Sequence, residues 1–252
     1  MKFAVLADIH GNSSALKAVF EDMESLGIED AVNLGDHFSG PLDAAGTADL
    51  LAKRAFPAIR GNHDRVLVEH DPVHMCASDR AAYDVLDEDA KTWLRGLPSV
   101  LSPFDGVFMC HGTPDSDETY WLEQVTETGS VCIAAIEDIE RNAEGIAADL
   151  ILCGHTHIPR SVRLRDGRII LNPGSVGCPA YDDDQPNYHI VQTGTPNASY
   201  AIAEQWRDGW DITFRSVPYN AEAMAKMAFE NGRNDWVQAV RTGWLDQAHD
   251  LA

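Results

Sequence analysis

The sequence predicts an α/β (α+β) fold with a mostly parallel sheet, a second sheet rich in antiparallel pairs, and a helical C-terminal piece. Three observations predict it. Short β-type runs alternate with helical periodicity through the first half, two Asp-Gly turns sit between β-type runs after residue 160, and helical patterning returns from about residue 220.

Taken in order, FAVLA (3–7) reads as a strand leading into a polar turn, and SALKAVFEDMESLG (14–27) as a helix stopped at Gly27. AVNLG (31–35) reads as a second strand, TADLLAKR (47–54) as part of a second helix, and FPAIR (56–60) as a brief third strand. This β-α-β-α-β order places active residues at strand ends. GVFMCHG (106–112) and DLILCGH (149–155) read as later strands, and SVCIAAIEDIERNA (130–143) between them as an amphipathic helix. Asp166-Gly167 and Asp208-Gly209 each lie between two β-type runs, which predicts two hairpins. AEAMAKMAF (221–229) and DWVQAVRTGWL (235–245) return to helix. With no repeat, low-complexity tract or linker, residues 1–252 read as a single domain, with a motif-bearing core to about 217 and a helical appendage over about 218–252.

Bulk properties narrow the function classes. The formal net charge is −21 over 252 residues. Such a surface repels long nucleic acid and anionic membranes, yet admits a small phosphorylated substrate if one pocket is locally positive. The apolar run before Asp8 is too short for a signal peptide or a membrane span, and no later run approaches one. Five cysteines at 76, 110, 132, 153 and 178 form no CxxC pair, which suits a reduced, cytoplasmic protein whose thiols pack as small hydrophobes.

The informative pattern lies just after the strands. Asp8-Ile9-His10, Gly35-Asp36, Gly61-Asn62-His63-Asp64, Cys110-His111-Gly112 and Gly154-His155-Thr156-His157 all put His, Asp or Asn beside or near glycine. In Asp8-x-His10 and His155-x-His157 the members are two apart, so extended backbone would point both the same way. Imidazole nitrogen mixed with carboxylate oxygen suits Mn, Zn or Fe better than Ca or Mg.

This set of motifs, in this order, resembles the calcineurin-like metallophosphoesterase superfamily. Asn172-Pro173-Gly174-Ser175 is similar to a loop of its bacterial phosphodiesterase and diadenosine-tetraphosphatase-like branch. The resemblance implies a four-layer α-β-β-α sandwich with two mixed central sheets. It also implies two divalent metal ions, one on Asp8, His10 and His157, the other on Asn62, His111 and His155, with Asp36 bridging. Mn is the favoured metal, and Fe, Zn and Ni are accepted by the same donors. Four positive charges against two carboxylates leave a surplus for a phosphate. The implied chemistry is attack on phosphorus by a metal-activated hydroxide, with His63 as proton donor oriented by Asp64. Arg60 is a candidate phosphoryl clamp or a surface ion pair, and His37 a candidate substrate contact or a polar loop residue.

A phosphodiester or a nucleotide-type phosphoanhydride, such as a nucleotide or dinucleotide, is the expected substrate. The rivals are a serine/threonine protein phosphatase or broad phosphomonoesterase and, in another class, a non-catalytic scaffold of this fold. All seven expected ligands and His63 are present, which disfavours the scaffold. His70, His74, His189 and His249 carry no motif. Cys110 and Cys153 read as buried packing residues. Tyr120 and Trp121 read as loop anchors before a base-stacking wall. Trp236 and Trp244 are left between capping a sheet and a homo-oligomer contact.

Overall fold

The computed structural model describes residues 1–207 and 209–245. Asp208 of the second expected turn, His249 and the end of the C-terminal appendage lie outside the described residues. In chain order the elements begin β1 (Lys2–Leu6), α1 (Ser13–Ser25), β2 (Ala31–Asn33), α2 (Ala44–Leu51), α3 (Asn62–Glu69), α4 (Ala77–Val85) and α5 (Glu88–Gly96). Next come β3 (Val100–Leu101), β4 (Val107–Cys110), β5 (Glu123–Val125), β6 (Val131–Ile133), α6 (Ile136–Asn142) and β7 (Leu150–Leu152). The chain continues with β8 (Arg160–Arg163), β9 (Ile169–Asn172), β10 (Ala180–Asp183), β11 (His189–Gln192), β12 (Ala198–Trp206), β13 (Gly209–Val217), α7 (Ala221–Glu230) and α8 (Asn234–Thr242).

Strand alternation builds the layers. In β1 and its exit, Phe3, Val5 and Ala7 face one side and Ala4 and Leu6 the other. In β7 and its exit, Leu150 and Leu152 share the core of Phe3 and Val5, whereas Ile151 and Cys153 pack with α6. Two sheets therefore meet face to face, with α1 to α5 outside the first and α6 outside the second. This is the expected α-β-β-α sandwich. The first sheet has the order β13-β12-β1-β2 and the second β3-β4-β7-β9-β8. The expectation of one mostly parallel sheet needs correcting. The β12–β13 hairpin returns to pair antiparallel with β1, while β4, β7 and β9 run parallel in the other sheet, so both sheets are mixed.

Three local readings also change. FPAIR makes only a single parallel bridge, Asn33 to Ala58, because Pro57 has no N–H to extend the ladder. Val131 and Ile133 pair with β5 instead of starting the helix, as β-branched residues favour, and α6 begins at Ile136. Helices α3, α4 and α5 fill a region without an assigned element. The Asp166-Gly167 hairpin is present between β8 and β9.

The α1 helix shows how the sequence secures a layer. Asn12 caps it by accepting from Ala15 N–H at 3.0 Å, and Ala15, Leu16, Val19, Phe20 and Met23 form its buried stripe. Its far end is tied to the sheet by Asp22, which accepts from the buried Tyr200 hydroxyl (2.7 Å) and from Arg215 Nη2 (2.7 Å). Arg215 and Tyr200 hold the Asp22 carboxyl below its ordinary range. Its contribution is present above the unfolded carboxylate pKa and is lost as pH falls through the lower folded value. Asp22→Ala should cost about 1–3 kcal/mol by orphaning the Tyr200 hydroxyl. Urea unfolding checks this, and adding Tyr200→Phe should recover part of the loss.

Candidate metal centre

The loops leaving β1 and β2 stay paired after the strands end. Asp8, His10 and Gly11 N–H groups donate to the carbonyls of Gly35, Asp36 and His37, each at 3.0 Å. The loop at Gly61 closes on the same place. A Cβ at Gly35, where φ is +102°, would meet Gly61 N at 2.3 Å, and one at Gly61 would meet Asp36 Oδ1 at 2.2 Å. Glycine is required at both positions so that the backbones can touch.

Asp8, His10, Asp36, His155 and His157 have φ of +55°, +50°, +55°, +69° and +58°. They are five of the six non-glycine residues with positive φ among the described residues. Left-handed backbone disfavours each by about 1–2 kcal/mol. The reason expected for the i, i+2 convergence is therefore corrected: left-handed turns, not extended backbone, aim Asp8 with His10 and His155 with His157.

All seven expected ligands converge. Asp8, His10 and His157 form one group of donor atoms, and Asp36, His111 and His155 another, with the donors of each group within 4.8 Å of one another. Asn62 Oδ1 joins the second group at 3.1 Å from His111 Nε2. Asp36 Oδ2 lies between the groups, 3.2 Å from His111 Nε2 and 4.0 Å from His10 Nε2. That is the place a bridging carboxylate needs.

The donor chemistry fits divalent cations. Nδ1 of His10, His111 and His157 faces the carbonyl of Ser39, Leu34 and Cys178 at 2.8, 2.8 and 2.7 Å, so Nδ1 carries the proton and Nε2 is left as a donor. His10 and His157 then present Nε2 to each other at 3.2 Å. Asp8 Oδ1 is buried without a hydrogen-bond partner. Burial and the neighbouring His157 push His10 down to about 4, and burial and His111 push His155 down to about 4. Against burial, Asp36 holds His111 up at about 10, and Asp8 holds His157 well above its ordinary value. These carboxylates demand positive charge, and the two neutral imidazoles offer lone pairs.

His63 sits at the edge of the cluster, its ring centre 5.6 Å from that of His10. Its partner is Asp79 on α4, whose Oδ1 is 2.8 Å from His63 Nδ1. Burial lowers the His63 pKa, but Asp36 and Asp79 outweigh it and raise the group to about 9. Asp64 therefore does not orient His63. Both its oxygens are occupied by the N–H groups of Asp36, His37 and Gly61 and by His37 Nδ1 at 2.7 Å. Asp64 fastens the loop of the bridging Asp36 to that of Asn62. His37 is fully buried against Trp93 and is not a substrate contact. Arg60 pairs with Glu69 at 2.8 Å and does not line the cavity over the cluster, so the phosphoryl clamp is also corrected. Asp79 escaped the sequence reading because it stands outside every motif, in a helix the reading did not assign.

That cavity, about 270 Å³, is lined by His10, Asp36, Asn62, His63, His155 and His157 below. Tyr120, Tyr181, Arg233 at the start of α8, and the α8 residues Asp235 and Trp236 also line it. Tyr120 and Trp121 divide between the two readings offered for them. Trp121 is buried and donates to Ile139 O at 3.0 Å, while Tyr120 lines the cavity. Cys110 and Cys153 are buried, and burial raises both thiols.

Metal analysis should find about two divalent ions per chain after loading, and about one in His157→Ala. At a hundredfold excess over Kd, each bound ion stabilises by about 2.7 kcal/mol. For a chain of this size that is a rise in Tm of about 5–10 °C. A chelator should reverse the rise, and Asp8→Ala with Asp36→Ala should abolish it.

Comparison with known proteins agrees with this geometry. An uncharacterized protein of Methanocaldococcus jannaschii is 23% identical over 93% of this chain and 94% of its own length. A metallophosphoesterase from Sphaerobacter thermophilus superposes with a TM-score of 0.73 at 22% identity, covering 97% of this chain and 100% of that one. A hypothetical protein from Pyrococcus horikoshii OT3 does so at 0.73 and 20%, covering 97% and 99%. These likenesses show the fold. Residues 1–195 match the family model of the calcineurin-like phosphoesterase superfamily domain, and they carry all seven convergent donors. The chain belongs to the calcineurin-like phosphoesterase superfamily.

Proposed function

We propose that the protein is a dinuclear metal-dependent phosphoesterase acting on a phosphodiester or nucleotide-type phosphoanhydride in the cytoplasm, with Mn as the favoured metal. One observation carries the reading: two groups of mostly buried donors flank Asp36, with a carboxylate-held His63 beside them. Divalent ions held by Asp8, His10 and His157 and by Asn62, His111 and His155 would polarise the phosphoryl oxygens and lower the pKa of the attacking water.

The chain's own groups supply the rest. Asp36 is fixed through its backbone N–H to Asp64 and accepts from His63 N–H at 3.0 Å, so the acid and the bridging carboxylate keep one spacing. Asp79 holds the Nδ1 proton of His63 and leaves Nε2 to protonate the departing oxygen. His63 is partly exposed on the cavity, where a leaving group can reach it. Among the described residues no helix is long and apolar enough to cross a membrane.

A phosphoryl clamp from Arg60 would favour the protein-phosphatase reading, and the Arg60–Glu69 pair removes that support. The scaffold reading gives no account of the His63–Asp79 pair.

His63→Ala in the Mn-loaded protein should lower kcat by about 10²–10⁴ on a diester with an alkyl leaving group. The loss should be smaller on bis(p-nitrophenyl) phosphate, whose leaving group needs little proton assistance. Metal content should not change. Equal turnover by mutant and wild type on the alkyl ester would remove His63 from the mechanism.

Asp79→Asn should lower kcat about tenfold with KM little changed, because it acts through His63. Combining it with His63→Ala should cost no more than His63→Ala alone. Additive losses would assign Asp79 a separate structural role.

A further inference from the structure

The cavity over the metal centre has a neighbour. A second hollow shares Asn62, Tyr120, His155 and Asp183 with it and continues past Gln124 and Pro186. His63 lines the first and not the second among the described residues, so a group leaving toward His63 enters the first chamber. Part of that chamber comes from α8, which lies beyond the 195 residues matched by the family.

Trp236 of α8 is seated firmly. Its ring stands edge-on to His10 at 6.1 Å, and a Cβ at Gly40 would meet it at 3.1 Å. It offers a flat wall beside a metal donor. Besides His63 itself, the charged groups facing the same space above the metal donors are Asp182, Asp183, Asp235 and Arg233. Arg233 is not free to receive an anion. Its Nε donates to Asp235 at 2.9 Å and its Nη1 to Ser78 Oγ at 2.9 Å, which also ties α8 to α4. Asp182 accepts from the Tyr188 hydroxyl at 3.2 Å and Asp183 from Gln185 N–H at 2.8 Å, and neither has a basic side chain as partner among the described residues. The phosphoryl site is positive when metal-loaded, but the leaving-group chamber is negative.

Resting on the phosphoesterase reading, we propose that the α8 chamber selects substrates whose leaving group is an uncharged, ring-bearing alcohol. The enzyme is then a diesterase that disfavours phosphoanhydrides, whose leaving group is itself an anionic phosphate. The second hollow takes the retained ester arm. Water supplies the oxygen of the new P–O bond, the bond to the alcohol breaks, and His63 Nε2 gives the alcohol its proton.

The test compares kcat/KM of the Mn-loaded full chain for benzyl thymidine 5′-phosphate, whose leaving group is an uncharged ring-bearing alcohol, and for diadenosine tetraphosphate. The diester should lead by about a hundredfold or more, and Asp182→Asn/Asp183→Asn should narrow the gap about tenfold, as removal of like-charge contacts predicts. Asp182→Glu/Asp183→Glu should keep the wild-type ratio, which separates charge from a structural effect. Equal or better turnover of the dinucleotide, or a gap unmoved by the Asn variant, overturns the proposal.

If no ester is turned over, the phosphoesterase reading fails, yet the chamber is still tested by calorimetry. Benzylphosphonate should then bind about tenfold tighter than 4-carboxybenzylphosphonate, with the difference shrinking in the Asn variant. Equal affinities overturn the proposal on that arm.

Discussion

Two buried carboxylates, Asp8 and Asp36, stand within 4.0 Å of the imidazole nitrogens of His10, His111 and His157, and the surrounding structure is arranged around that crowding. Loops bearing these side chains reach one point only by bending sharply at the ligands themselves. Five left-handed residues at about 1–2 kcal/mol each sum to roughly 5–10 kcal/mol, as large as the net stability of a typical domain. Such strain persists only where the backbone is over-determined. Here the Asp8, His10 and Gly11 bonds to the β2 loop, the Gly35–Gly61 approach and the shared core of Phe3, Val5, Leu150 and Leu152 over-determine it.

Asp64 and Asp79 divide two tasks that one carboxylate cannot perform together. A carboxylate has about four lone-pair sites, and Asp64 uses them on three backbone N–H groups and the His37 ring. Nothing remains for His63. His63 is therefore held from α4 by Asp79, which also accepts from the Cys76 thiol at 3.0 Å. The loop geometry and the setting of His63 thus depend on different elements, and a change in α4 can alter His63 without moving Asp36.

The sequence made the metal donors legible for a physical reason. Each follows a short apolar strand, stands near glycine, and has a side chain too polar to bury without a partner, so Asp8, Asp36 and His111 stood out. Apart from β3, the strands of both sheets are readable from their apolar runs. Less legible was anything set by tertiary contact. Asn62-His63-Asp64 read as a motif, which hid that these residues open α3. Val131 and Ile133 fit a helical stripe until β5 is seen beside them. His37 and Arg60 lie near the right motifs in sequence, yet the chain turns them toward Asp64 and Glu69. Sheet assignment was hidden too, since β12 joins β1 across nearly two hundred residues.

Divalent ions grip any phosphate, so the centre itself discriminates little between esters. Discrimination has to come from walls that touch what differs between substrates, the groups on either side of phosphorus. The residues 1–195 matched by the family supply the donors and His63, while α8 lies outside them and brings Trp236 and Asp235 into the cavity that His63 lines. Under the proposed reading, a discriminating wall on α8, tied to α4 through Arg233 and Ser78, separates substrate choice from metal binding. The wall can change by surface substitution while the strained loops beneath it stay as they are.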